Sequence, residues 1–263
     1  MLRFGCHDFI NSMPILHGLR RGGRDFALSL GKPSAVAEML RGRKVDIAMA
    51  PAIEYLRNED YVIVPDVCIA ARGEVGSVNL YHRKPLGEVR TIAVDPSSLT
   101  SAALIRIMME KCFKARPQYT PAKRMSLEDL PRAEADGVLL IGDEALGEPP
   151  AGYEVLDLSE QWLSMTGLPF VFAVCCARRG AELGGFGEAL RASLAEGLAH
   201  IPEIAAEAAG KYGLPKARVE AYLSRNLRYT LGAEERQGLK RFFAEAVAAG
   251  LWPKERELEF HGG

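Results

Sequence analysis

The chain has no run of eighteen consecutive apolar residues, which excludes a helical membrane span. It has no excess of either charge. Its 33 Lys and Arg stand against 34 Asp and Glu, and the net of -1 argues against a broad electrostatic footprint for nucleic acid. Cysteines are few: Cys6, Cys68, Cys112, Cys175 and Cys176 are odd in number and scattered, as suits buried free thiols and not a disulfide framework. His7, His17, His82, His200 and His261 show no metal-site spacing, so no metal is expected. No glycine-rich phosphate fingerprint occurs, Gly73-Glu74-Val75-Gly76 not being one, and no cofactor is expected. Residues 1–5 lack the long apolar core of a signal peptide, so a cytoplasmic protein is expected. Fixed-period repeats and low-complexity tracts are missing too.

At 263 residues the chain is long enough for one large domain or two small lobes. Strands are expected at residues 3–7, 26–30, 45–50, 62–64, 68–71 and 77–81. Between them, Asn11-Ser12-Met13-Pro14 opens one helix and Pro33-Ser34 another, with Val36, Met39 and Leu40 on one face. This alternation predicts an α/β layer structure. The middle repeats the pattern with strands at 91–94, 135–141, 155–158 and 168–176. After Arg178 the chain turns mostly helical, over 187–200, 202–212, 216–223 and 233–249. Two α/β blocks and a helical tail predict two lobes around a central cleft. Residues 1–83 plus 177–263 form lobe 1 and residues 84–176 form lobe 2, with crossings near 84 and 177.

The most informative stretch is TIAVDPSSLTSAALIRIMM, residues 91–109. A buried strand, an Asp-Pro break, four hydroxyl residues (Ser97, Ser98, Thr100, Ser101) and a helical apolar pattern follow one another. Free backbone N–H groups, hydroxyls and the positive end of a helix dipole then meet at one point, a seat for a carboxylate or phosphate. The same hydroxyls also suit plain helix capping. Ligands of open α/β sheets bind beyond the carboxyl ends of the strands, so the several helix starts can converge on one cleft.

Seven segments in a fixed order carry a resemblance: FINSMPI (9–15), PSAVAEML (33–40), VDIAMAPAIEYL (45–56), GEVGSVNLY (73–81), DPSSLTSAALIRIMM (95–109), LLIGDEAL (139–146) and DLSEQW with TGLPFVFAV (157–174). Together they resemble the menaquinone biosynthesis enzymes of the futalosine route, and most of all the chorismate dehydratases. The departures are Phe9-Ile10 where Tyr-Leu is usual, Ala52 and Ala71 where serine is common, and Cys175-Cys176 where an aromatic residue usually ends the strand. The resemblance implies a periplasmic-binding-protein fold of the second type. It also implies a hydro-lyase that takes chorismate, a small dicarboxylate, to 3-[(1-carboxyvinyl)oxy]benzoate and water.

By the same resemblance Ser77 and Asn11 are the catalytic pair. Ser98, Thr100 and Ser101 would hold a carboxylate, and Ser34, Thr166 and Gly167 would line the substrate site. Neither serine nor asparagine is a good base at neutral pH, so the proton acceptor is either the substrate's own enolpyruvyl carboxylate or one of His7 and Asp8. Asp143 is expected to cap a helix. No nucleic-acid or membrane partner is expected, and a homodimer stays open. Two other readings stand beside this one. The first is a non-catalytic binder of small carboxylates. The second is the sister dihydroxynaphthoate-forming enzyme, whose Ser-Pro-Cys-Pro-Asn-Asp motif is replaced here by His7-Asp8-Phe9-Ile10-Asn11-Ser12.

Overall fold

The computed structural model describes residues 1–21, 26–122 and 125–262. The chain begins with β1 (Leu2–His7), α1 (Met13–Arg21), β2 (Phe26–Gly31), α2 (Pro33–Arg41), β3 (Ile47–Pro51), α3 (Ala52–Arg57) and β4 (Tyr61–Ala71). The middle runs through β5 (Val78–His82), β6 (Thr91–Val94), α4 (Leu99–Lys111), β7 (Gln118–Pro121), β8 (Gly137–Ile141), β9 (Glu154–Asp157) and α5 (Leu158–Thr166). The last third holds β10 (Phe170–Arg178), α6 (Phe186–Ala199), α7 (Ile201–Tyr212), α8 (Lys216–Ala221), β11 (Leu227–Arg228) and α9 (Ala233–Ala248). Among the described residues no helix is long and apolar enough to cross a membrane.

Among the described residues the strands form two sheets. One has six strands in the order β11-β4-β10-β3-β1-β2, the other five in the order β7-β6-β8-β5-β9. β1 pairs in parallel with β2 and β3, so the links between these strands must cross over the sheet, and α1 and α2 lie in those links. β3 is buried at every position and its sequence, IAMAP, is apolar throughout, as a strand covered on both faces requires. β10 runs antiparallel between β3 and β4 and closes the centre of the sheet.

The sheets exchange the chain between Ala71 and Val78, and again between Asp157 and Phe170. The sequence pattern instead puts the crossings near 84 and 177. The difference is β5 and β10, which pattern alone cannot assign: β5 pairs with β8 and β9, while β10 pairs with β3 and β4. The expected strands at 62–64 and 68–71 are one strand. Asp66 adopts φ 72° inside β4, and the β10 pairing shifts register there, so Pro65-Asp66 bends the strand without ending it.

Helix α1 packs on α6 at backbone contact. A Cβ on Gly197 would stand 2.0 Å from the Pro14 carbonyl oxygen, so only glycine fits. Beside it Ser193 Oγ accepts from Leu19 N and donates to the Ile15 carbonyl, both at 2.7 Å. The C-terminal helices are thereby locked to the first sheet. All five cysteines are free. Cys6, Cys68, Cys175 and Cys176 are fully buried in that sheet, where burial pushes their thiols up.

Candidate active site

A cleft with about 520 Å³ of empty space, open solvent included, lies between the two sheets. The first sheet's side supplies His7, Phe9, Asn11 and Phe172. The second supplies Ile141 and Gly142, and the start of α4 supplies Ser97, Ser98, Thr100 and Ser101. Ser77 stands on the chain crossing, and Leu227 of β11 brings in the C-terminal tail.

Each polar group is placed by local sequence. Asn11 sits in a tight turn, Ile10–Ser12, directly before α1, and its Oδ1 accepts from Ser12 Oγ at 3.2 Å. The turn is held from across the cleft, because Asp143 Oδ1 accepts from Ile10 N at 3.0 Å. Burial, with Asp8 and Glu144 nearby, pushes the Asp143 carboxyl up to about 6. Asp143 therefore caps the Asn11 turn from the opposite sheet, a long-range version of the capping role its sequence suggests. Gly142 before it has φ 67°, and a Cβ there would meet the Phe9 ring at 2.9 Å.

The crossing that carries Ser77 is fixed by one carboxylate. Asp157 caps α5 through Ser159 N and Glu160 N, and its second oxygen accepts from Val75 N at 2.9 Å and Gly76 N at 2.7 Å. The Ser77 carbonyl takes Gly142 N at 2.8 Å. Its hydroxyl accepts from Tyr222 Oη at 2.9 Å.

At the α4 start, Ser97 N donates to Asp95 Oδ1 at 2.7 Å, an Asx turn that follows β6. Ser98 holds the cap position without a side-chain capping bond. The Ser97 and Ser98 hydroxyls are buried and have no hydrogen-bond partner among the described residues, and neither has His7 Nε2. Each such group costs about 1–3 kcal/mol when left unpaired, so three lining one cavity mark a place where a polar ligand completes the bonding. Thr100 lines the same cavity, but its Oγ1 already accepts from Ile53 N at 3.3 Å. Burial pushes His7 down to about 4, so its ring is neutral at pH 7.

Comparison with known proteins decides the family. A family profile described as menaquinone biosynthesis matches residues 2–248. The chain belongs to that family. It is 34% identical to the chorismate dehydratase of Thermus thermophilus, over 95% of this chain and 96% of that protein. It is 31% identical to the chorismate dehydratase of Campylobacter jejuni, over 65% of each. A protein from Archaeoglobus fulgidus has the same fold with a TM-score of 0.78 and 19% identity, covering 95% of this chain and 98% of that one. The periplasmic aliphatic sulphonate binding protein of Escherichia coli superposes with a TM-score of 0.67 at 16% identity, covering 100% and 94%. The two-lobed α/β fold expected from the strand pattern, of the periplasmic-binding-protein type implied by the resemblance, is thus the one observed.

In this menaquinone biosynthesis protein Asn11, Ser77, Ser98, Thr100 and Ser101 share one cavity. Three expected residues stand elsewhere. Pro33 lines the wall, whereas the half-buried Ser34 does not. Thr166 Oγ1 donates to the Trp162 carbonyl at 2.8 Å and accepts from Leu168 N, while Gly167 ends α5 at φ 73°. The pair is a helix C-cap, for which a glycine in the left-handed region is the usual ending. Asp8 is exposed and not part of the wall, which leaves His7 as the protein group at the end of β1. Sequence reasoning missed Tyr222, which reaches Ser77 from 145 residues away with no local signal. It also missed Asp157 as the clamp on the crossing, although DLSEQ carries the ordinary signature of a capped helix start.

Proposed function

We propose that the protein is a chorismate dehydratase, a hydro-lyase that converts chorismate to 3-[(1-carboxyvinyl)oxy]benzoate and water in menaquinone biosynthesis. The observation that carries the reading is one cavity in which Ser77 and Asn11 face the unpaired hydroxyls at the start of α4. Two curated relatives of that name support it.

Chorismate loses its C3 proton and its C4 hydroxyl, and the ring becomes aromatic. The C3 proton is vinylogous to the ring carboxylate, so charge released by its removal spreads into that group. Donors held there stabilise the transition state more than the ground state. Ser97 and Ser98, with the first amides of α4, take this role, and Ser77 and Asn11 attend the departing hydroxyl and the enolpyruvyl group. A helix N-terminus contributes about 0.3–1 kcal/mol, or ~2 when partly buried. Micromolar binding requires about 8 kcal/mol. The hydroxyl bonds and burial of the ring against Phe9, Phe172 and Leu227 supply most of the difference.

The substrate's enolpyruvyl carboxylate accepts the proton in this reading. His7 Nε2 is the protein alternative, its ring kept neutral by burial. The test is incubation of the purified protein with chorismate, without metal or nucleotide, followed by chromatography and mass detection. A product lighter by one water that disappears in Ser77→Ala and Asn11→Ala supports the assignment. Saturable binding of chorismate without turnover in the unaltered protein refutes it.

A further inference from the structure

Helix α8 does not end as an α-helix. It runs into a π-turn, Tyr222–Asn226, and only then into β11. Such wide turns inside helices occur mostly at functional positions. This one is fastened on both sides: Asn226 Nδ2 donates to the Glu74 carbonyl at 2.9 Å, and Arg218 Nη1 donates to the Leu146 carbonyl at 2.9 Å. The result is a buried tyrosine, 2% exposed, whose hydroxyl meets Ser77 Oγ behind the cavity wall.

Direction follows from proton counting. A hydroxyl has one proton to give. The phenol is the more acidic of the two hydroxyls, and it donates to Ser77 Oγ at 2.9 Å. Ser77 Oγ, having accepted, keeps its proton for the cavity. The Tyr222 bond thus points the serine as a donor at whatever occupies the site.

We propose that Tyr222 is a positioning residue, coupled to Ser77, that fixes the Ser77 hydroxyl as a hydrogen-bond donor to the substrate's departing hydroxyl. This rests on the dehydratase reading for the identity of the acceptor. It does not rest on it for the coupling.

Tyr222→Phe keeps the ring and removes the link. Expected is a fall of about ten-fold in kcat, about 1.4 kcal/mol, with KM for chorismate within about two-fold of the unaltered protein. A purely structural hydroxyl leaves kcat unchanged, and that result overturns the proposal. Unfolding by urea of Tyr222→Phe, Ser77→Ala and the double variant provides a second readout that needs no turnover. Non-additive losses are expected, and strictly additive ones also overturn the proposal. Absence of chorismate turnover in the unaltered protein would instead remove the dehydratase reading, and the unfolding cycle would still judge the coupling.

Discussion

His7 is 5% exposed, its Nε2 has no partner among the described residues, and burial pushes it down to about 4 from an ordinary value near 6.5. A histidine depressed in the folded state binds fewer protons there than in the unfolded chain. Its contribution to stability is therefore complete above pH 6.5 and is lost as the pH falls toward 4. The size follows from the gap of about 2.5 pH units, or about 3 kcal/mol at 1.36 kcal/mol per unit. Asp143 acts in the opposite sense over nearly the same window: its raised carboxyl favours the fold at low pH and loses that advantage as the pH rises through about 6. Asp157, raised by burial to about 6, acts in the same sense as Asp143, so the pH dependence of the unaltered protein does not show the His7 contribution by itself. His7→Asn isolates that contribution. Urea unfolding of the two proteins at pH 7, 6, 5 and 4 gives their stability difference at each pH, and every other titrating group cancels. That difference is expected to shift against the unaltered protein by about 3 kcal/mol between pH 7 and pH 4. A difference constant to within ~1 kcal/mol refutes the argument, because it would mean that the imidazole is solvated. The consequence for the site is direct: at neutral pH His7 presents a lone pair and not a positive charge, so the substrate carboxylates must be held by hydroxyls and amides.

Asp143→Asn is expected to stabilise the protein by about 1–2 kcal/mol at pH 8 and to change little at pH 4, because the amide oxygen still accepts from Ile10 N; calorimetric melting at the two pH values checks it. Gly197→Ala forces a methyl group into the Pro14 carbonyl and should cost at least ~3 kcal/mol by separating α1 from α6, read as a lowered urea midpoint. Gly210→Ala, in α7 with open space around its Cβ, is the matched control and should be neutral or stabilising by up to ~1 kcal/mol.

Much of this fold is visible in local pattern. β6 occupies the four residues its apolar run predicts, and α4 starts where the hydroxyl cluster says it must. β7 escapes notice because an edge strand half open to solvent has no apolar signature: it reads QYTP and is exposed at both ends. α5 is hidden behind the short run that forms β9, although Asp157 announces it. Within the site, the α4 hydroxyls follow from sequence, whereas the role of Asn11 and Ser77 came only through resemblance to a family. Tyr222 and the Asp143 bond to Ile10 depend on contacts between distant segments, which periodicity does not encode. Thr166-Gly167 is an ordinary helix ending, in keeping with the turn that a polar-glycine pair suggests.

The place of β10 in the middle of the six-stranded sheet also sets an order of assembly on the ribosome. Strands β3 and β4 are both made early, but each pairs with β10 and not with the other. Until residue 178 has been synthesised, the first 71 residues form an unfinished sheet whose apolar edges have no partner. At ~5–20 residues per second that exposure lasts roughly 5–20 s, long enough for a nascent-chain chaperone to engage it. The five-stranded sheet has no such wait, since all its strands lie between Val78 and Asp157. The lobe in the middle of the chain can therefore be folded while the lobe that encloses both termini is still being built.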